Sequence, residues 1–168
     1  MKIHFTDLAA AKTKQDAVLV FPVAEDKKLP SLAQAIDKQS GGALSRALSS
    51  GRFSGKPGQH AVIVMPEGIK SDRVVLAGIG SGDKLNPLAQ ENLGGALVPV
   101  LNGSGAKSIT FVLDDIKGLK TSLPEAAARI GHGAYLRSYH FDKYHTKKKP
   151  EDKPTLASFT VALENAKE

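Results

Sequence analysis

Pro124-Glu125-Ala126-Ala127-Ala128-Arg129-Ile130 opens a stretch that runs through aromatics mixed with bases to Pro154. Proline suits the first turn of a helix, and Glu125 sits where the helix dipole favours negative charge. Ala127, Ile130 and Ala134 fall at i, i+3 and i+7, which makes one apolar stripe. Gly131 and Gly133 interrupt that pattern. Each costs a helix about 1 kcal/mol against alanine, so close packing against a neighbour is the reason to expect them there. Beyond them come Arg137, Tyr139, Phe141, Lys143 and Tyr144, then Lys147-Lys148-Lys149-Pro150-Glu151-Asp152-Lys153-Pro154. That tail is too polar and too broken by proline to fold alone. The helix therefore reads as packed on a sheet built by the rest of the chain, with residues 145–154 a basic loop before a last strand.

Working outward, the sheet is legible on both sides of this helix. Lys2 to Thr6 alternates, Ile3 and Phe5 on one face, as a half-buried outer strand does. Ala17-Val18-Leu19-Val20-Phe21 is continuously apolar, the mark of a strand covered on both faces. A short helix with Leu32, Ala35 and Ile36 on one side follows a charged loop. Ser40 then reads as the N-cap of a second helix burying Leu44, Ala47 and Leu48, with Gly51 as its C-terminal stop. Ala61 to Met65 and Arg73 to Ala77 are two more strands. Asn86-Pro87 starts a helix whose stripe is Ala89, Leu93, Ala96, Leu97 and Val100, with Pro99 predicting a kink or early end. Gly41-Gly42 and Gly94-Gly95 read as small packing residues in two helices. Ser108 to Leu113 is a buried strand, and Thr155 to Leu163 the last one, with Ala157, Phe159, Val161 and Leu163 inward. Strands and helices alternating in this way predict a single α/β domain over residues 1–168, a three-layer α/β/α sandwich on a mixed sheet.

A chain of 168 residues is long enough to bury roughly 70% of its unfolded surface in one domain. No run approaches the ~18 apolar residues of a membrane span, and Met1 to Asp7 lacks the apolar core of a secretory signal. Without cysteine there is neither a disulfide framework nor a thiolate-bound metal, which suits the cytosol. The formal net charge of +6 could serve nucleic acid or an acidic partner, and serves equally as an ordinary basic surface.

Chemistry-bearing patterns are sparse. Gly55-Lys56-Pro57-Gly58 lacks the glycine spacing and the Ser/Thr of a phosphate-binding P-loop. Gly78, Gly80 and Gly82 follow a strand and precede a helix, where backbone N–H groups can meet an anion. Their spacing is G-x-G-x-G, however, and no ribose-binding acid follows about 20 residues on. His140, Asp142 and His145 would diverge on a helix, and no two histidines stand at i, i+4. Asp114-Asp115 reads as a solvated strand end. There is no G-x-S-x-G elbow. No catalytic or metal-ligating residue is assigned.

Four segments carry a resemblance: Ser40 to Leu48, Gly51 to Gly58, Asp72 to Gly80 and, most specifically, Gly133 to Tyr144. Together they resemble the N-terminal domain of the leucyl aminopeptidases, the cytosolic M17 peptidases, over nearly the whole chain. The resemblance implies a macro-domain-like fold. It also implies a hexameric parent enzyme that removes N-terminal residues, leucine among them, with two zinc or manganese ions. In that family the metal ligands and catalytic groups lie in a C-terminal domain, in motifs such as N-T-D-A-E-G-R and V-G-K-G, and neither occurs in this sequence. The expectation is thus a non-catalytic N-terminal domain, with no cofactor of its own, whose partner is the catalytic domain of the same polypeptide.

Two alternatives accompany it. Some bacterial members of the resembled family bind DNA, and here Arg137, Lys143, Lys147, Lys148 and Lys149 interleave with Tyr139 and Tyr144. Over Asp142 to Lys153, five lysines stand against three acids, which a solvated face also explains. The macro-like fold also suggests a module for a nucleotide or ADP-ribose, on fold analogy alone.

Overall fold

The computed structural model describes residues 1–13, 18–64, 66–114, 116–139, 154–164 and 166. Lys143, Lys147, Lys148 and Lys149, the histidine pair His140 and His145, Asp115 and nearly all of the basic loop lie outside the described residues.

Among the described residues six strands form one sheet: β1 (Lys2–Asp7), β2 (Val18–Ala24), β3 (His60–Val64), β4 (Arg73–Gly80), β5 (Ser108–Val112) and β6 (Ser158–Leu163). Their order across the sheet is β1-β6-β5-β2-β4-β3. Every neighbouring pair is parallel except β3 with β4. The expected mixed sheet is therefore a parallel one with a single antiparallel edge. The continuous apolar run of β2 lies in the interior, where Val18 pairs with both Arg73 and Ile109. Strands buried on both faces need no alternation. β1 is an outer strand as expected, but Phe5 is half exposed.

Helices cover both faces. One layer holds α1 (Leu8–Thr13), α2 (Ser31–Gln39) and α3 (Ala43–Ser50). It packs Ile36, Leu44 and Leu48 on Leu19, Phe21, Val74 and Leu76. The other holds α4 (Pro87–Asn102) and α5 (Leu123–Ser138), which pack Leu97, Leu101 and Ile130 on Val20, Val75, Phe111 and Phe159. The rings of Phe111 and Phe159 lie 6.5 Å apart in a stacked arrangement. The three-layer α/β/α architecture is thus present. The six-residue α1 has no counterpart in the sequence reading, being too short for a periodic pattern; the Asp7 carboxylate accepts from the amide of Ala9 at its start, 2.9 Å away.

The caps show where local signals worked. Asn86 caps α4 through Ala89, and Ser122 caps α5 through the amide of Glu125. Ser40 does not cap α3: it ends α2 instead, and its hydroxyl donates to the Asp37 carbonyl. The acceptor for α3 is the Asp37 carboxylate, which takes the amides of Leu44 (2.8 Å) and Ser45 (3.0 Å) and the Ser45 hydroxyl. Gly41 and Gly42 are the left-handed turn between those helices, at φ 60° and 81°, rather than packing residues within one. Pro99 does not end α4, which runs on to Asn102.

Gly94 and Gly133 are packing residues of the expected kind. A Cβ on Gly94 would lie 1.9 Å from the Ile130 carbonyl oxygen, and one on Gly133 would lie 1.9 Å from that of Glu91. The two helices therefore cross backbone against backbone. Glu91 also receives Arg129 at 3.5 Å, and Arg129 pairs with Glu125 at 2.9 Å. These pairs are part-exposed and add little to the packing.

Candidate functional site

The α4 stripe is turned from its expected position. Leu93 and Leu97 are buried with Gln90, Gly94, Val98 and Leu101, whereas Ala96 is exposed and Ala89 and Val100 are half-buried. The close approach to α5 sets this rotation, because Gly94 must face α5. The flank carrying Ala89, Ala96 and Val100 is left facing the uncovered end of the sheet.

An apolar trough of about 420 Å³ lies there. Ala77 and Ile79 of β4 are lining residues on the sheet side, Leu93 and Ala96 on the α4 side, and the turn from Pro57 to His60 contributes as well. Its ionisable lining residues are Glu25, His60 and Lys84. Glu25 follows β2 and its amide donates to the Gly80 carbonyl at 3.2 Å. Lys84 closes the short 3-10 turn Gly82–Lys84 after β4. On the same face of the sheet, Val62 and Val64 of β3 are 44% and 60% exposed.

The glycine-rich turns that frame the trough are held from within. Gly78 donates to the Gln59 carbonyl (2.8 Å) and Gly80 to that of Gly55 (2.7 Å). The amides of Gly78 and Gly80 are thus already engaged by protein carbonyls. The Gln59 side-chain carbonyl accepts the amides of Ser54 (2.8 Å) and Lys56 (3.3 Å), which ties down the Gly55-Lys56-Pro57-Gly58 loop. A Cβ on Gly82 would come within 2.2 Å of the Lys117 carbonyl oxygen, so that glycine is required for close approach of the loop after β5.

A second cleft, of about 490 Å³, opens at the carboxyl ends of β2 and β4 and is lined by Asp26, Lys28, Gly82, Asp83 and Lys117 among others. Open parallel sheets place ligands at such strand ends. Asp83 accepts from the Ser81 hydroxyl, which holds its carboxyl below the ordinary range against a smaller upward pull from burial.

Asp114 is no idle solvated acid. Its carboxylate accepts the amide of Ser31 at 3.1 Å and so caps α2, whose N-cap position is a proline with no side chain to offer. Arg137 and Tyr139 are exposed at the end of α5, on the described side of the basic loop. Among the described residues no group of three or more histidine, aspartate or glutamate side chains could hold a metal ion. The described residues thus offer no ligand set for a two-metal centre. No helix among them is long and apolar enough to cross a membrane.

A layered sheet with parallel core strands and helices on both faces defines a three-layer α/β/α fold. A macrodomain mutant from Oceanobacillus iheyensis superposes with a TM-score of 0.63 at 14% identity, over 98% of this chain and 85% of that one, which shows the fold alone. A tomato leucine aminopeptidase mutant superposes with a TM-score of 0.79 at 28% identity, over 97% of this chain and 32% of that one. Residues 17–148 match the family described as the cytosol aminopeptidase family, N-terminal domain. A probable cytosol aminopeptidase of Caulobacter vibrioides is 35% identical over 164 residues, 96% of this chain and 31% of its own length. One from Rhodopseudomonas palustris is 38% identical over 133 residues, 79% of this chain and 25% of its own. The chain belongs to the cytosol aminopeptidase family and corresponds to its N-terminal domain. It spans about a third of the length of these relatives or less.

Proposed function

We propose that this domain serves a two-metal leucyl aminopeptidase of the cytosol without performing its chemistry, by helping the enzyme assemble or by limiting access to its site. The observation that carries this reading is the family match over residues 17–148 in a chain that covers only 31% of its Caulobacter relative. The remaining length in such relatives is where the zinc or manganese ligands would lie, and the catalytic domain is the natural partner within a homo-oligomer, a hexamer by family resemblance. The isolated 168-residue chain should therefore not turn over a leucyl amide substrate when zinc or manganese is added. Metal-dependent turnover by the pure chain would end the proposal.

A second reading is nucleic-acid binding. It draws on Tyr135, Arg137 and Tyr139, all exposed at the end of α5, which offer aromatic rings and a charge shortly before the lysine run in sequence. A salt titration with duplex DNA tests it. Phosphate contacts require affinity to fall steeply with salt, and no binding at low salt removes the idea.

A further inference from the structure

We propose that the trough between α4 and β4 is a binding site for a small zwitterion with an apolar side chain, either a free α-amino acid or a dipeptide. The body of the trough is hydrocarbon: Ala77, Ile79, Leu93, Ala96 and Leu97. Its volume of about 420 Å³ is that of a small-molecule site and accommodates one or two apolar side chains. Charge enters at Glu25 and Lys84, one carboxylate and one ammonium, which line the trough just beyond the carboxyl ends of β2 and β4. Neither makes an ion pair within 4 Å among the described residues, although the charge of Lys84 also acts on neighbouring Asp83.

That pattern of charge selects the occupant. A plain hydrocarbon would leave both charges unused, and a fatty acid or an amine would use only one. A molecule carrying an ammonium and a carboxylate close together, with an aliphatic or aromatic side chain beside them, uses all three features. Its ammonium faces Glu25, its carboxylate faces Lys84, and its side chain lies between Ile79 and Ala96. Burial of that side chain supplies the affinity, while the charges supply orientation and discrimination. Such a ligand differs from a nucleotide in needing no backbone amides, and the amides of Gly78 and Gly80 beneath it are already engaged. Binding does not depend on the aminopeptidase reading. Only its meaning does: in an enzyme that releases amino acids, the site would take up molecules of the product's class.

The test is titration of the 168-residue chain, followed by amide NMR shifts and calorimetry, with L-leucine, leucyl-leucine, leucinamide, 4-methylpentanoate and glycine. Leucine or leucyl-leucine should bind with a dissociation constant of about a millimolar or tighter and shift Gly78, Ile79 and Ala96; whichever binds more tightly identifies the source. Leucinamide lacks the carboxylate, 4-methylpentanoate lacks the ammonium and glycine lacks the side chain, so each should bind at least roughly tenfold more weakly. Lys84→Met should weaken leucine by about tenfold and leave leucinamide unchanged; Glu25→Gln should do the same for leucine and leave 4-methylpentanoate unchanged. Ala96→Trp should fill the trough and abolish binding. Glu25 and Lys84 are exposed, so their variants report on the site even if Ala96→Trp disturbs the helix. No binding of leucine or leucyl-leucine at about 20 mM overturns the proposal. So do shifts confined to the cleft at Asp26 and Lys117, or equal binding of leucine and its two singly charged analogues.

Discussion

The backbone of Gly133 in α5 runs against the carbonyl of Glu91 in α4 so closely that a methyl group on Gly133 would sit 1.9 Å from that oxygen. The same relation holds in reverse for Gly94 and the Ile130 carbonyl. Neither neighbour is a flexible side chain, so the helices themselves must separate to admit a Cβ. Gly133→Ala and Gly94→Ala should each destabilise the domain by about 1–3 kcal/mol or more, despite alanine's better helix propensity. Gly95→Ala is the control, because its nearest contact, the Gly133 carbonyl oxygen, is 3.4 Å away. Urea unfolding of the three variants should separate the first two from the third, and equal midpoints would contradict the packing argument.

Asp37 gives a pH-dependent prediction. Burial pulls its carboxyl upward, but the Ser45 hydroxyl, the amides of Ser45 and Leu44 and the charge of Arg46 together outweigh that and hold it below its ordinary value. A carboxyl depressed in the folded state contributes stability in full above its unfolded pKa, near ~3.9, and loses it as pH falls through the folded value. Asp37→Ala should cost about 1 kcal/mol at neutral pH through loss of the α3 cap. The gap between variant and parent should narrow below about pH 4, as thermal unfolding across an acid series would show.

Gln90 ties two loops together from inside the core. It is fully buried, and its amide nitrogen donates to the Leu85 carbonyl (2.9 Å) and the Thr121 hydroxyl (2.7 Å). Gln90→Leu keeps the volume but strips the Leu85 carbonyl of this donor. A loss of about 1–3 kcal/mol is expected by denaturant titration. Thr121→Val removes only one of the two bonds and should cost less.

Asp114→Ala should free the Ser31 amide at the start of α2. The expected cost is about 1 kcal/mol, with faster hydrogen exchange at Ser31 than in the parent. Unchanged exchange there would mean that the 3.1 Å contact does not persist in solution.

These features divide according to how far apart in sequence their causes lie. Asn86-Pro87 before α4 and the Pro124 helix announced themselves because a cap and its first turn are neighbours. The inward stripe Ala127, Ile130 and Ala134 was legible for the same reason, and all three are buried. The cap of α2 was not, since its acceptor is 83 residues away at the end of β5. The misassigned Ser40 fails more instructively. Serine is a good cap by type, but Asp37 reaches the same amides from within the preceding helix. The trough was invisible because it depends on which strands α4 leaves uncovered. Ala96 and Val100 read as core by periodicity and became a wall only once Gly94 had turned the helix toward α5. Gly78 and Gly80 look the same in sequence whether their amides meet an anion or the carbonyls of Gln59 and Gly55.

Among the described residues strand β1 has a single neighbour in the sheet, and that neighbour is β6: Lys2 lies beside Ser158 and Asp7 beside Leu163. The earliest of these strands in sequence is thus seated only by the latest. Without β6, Ile3 and Phe5 have no ladder to join, and the pairing that seats them spans the longest sequence separation in the sheet, the kind of contact that forms slowly. Completion of the sheet is thereby tied to the arrival of β6.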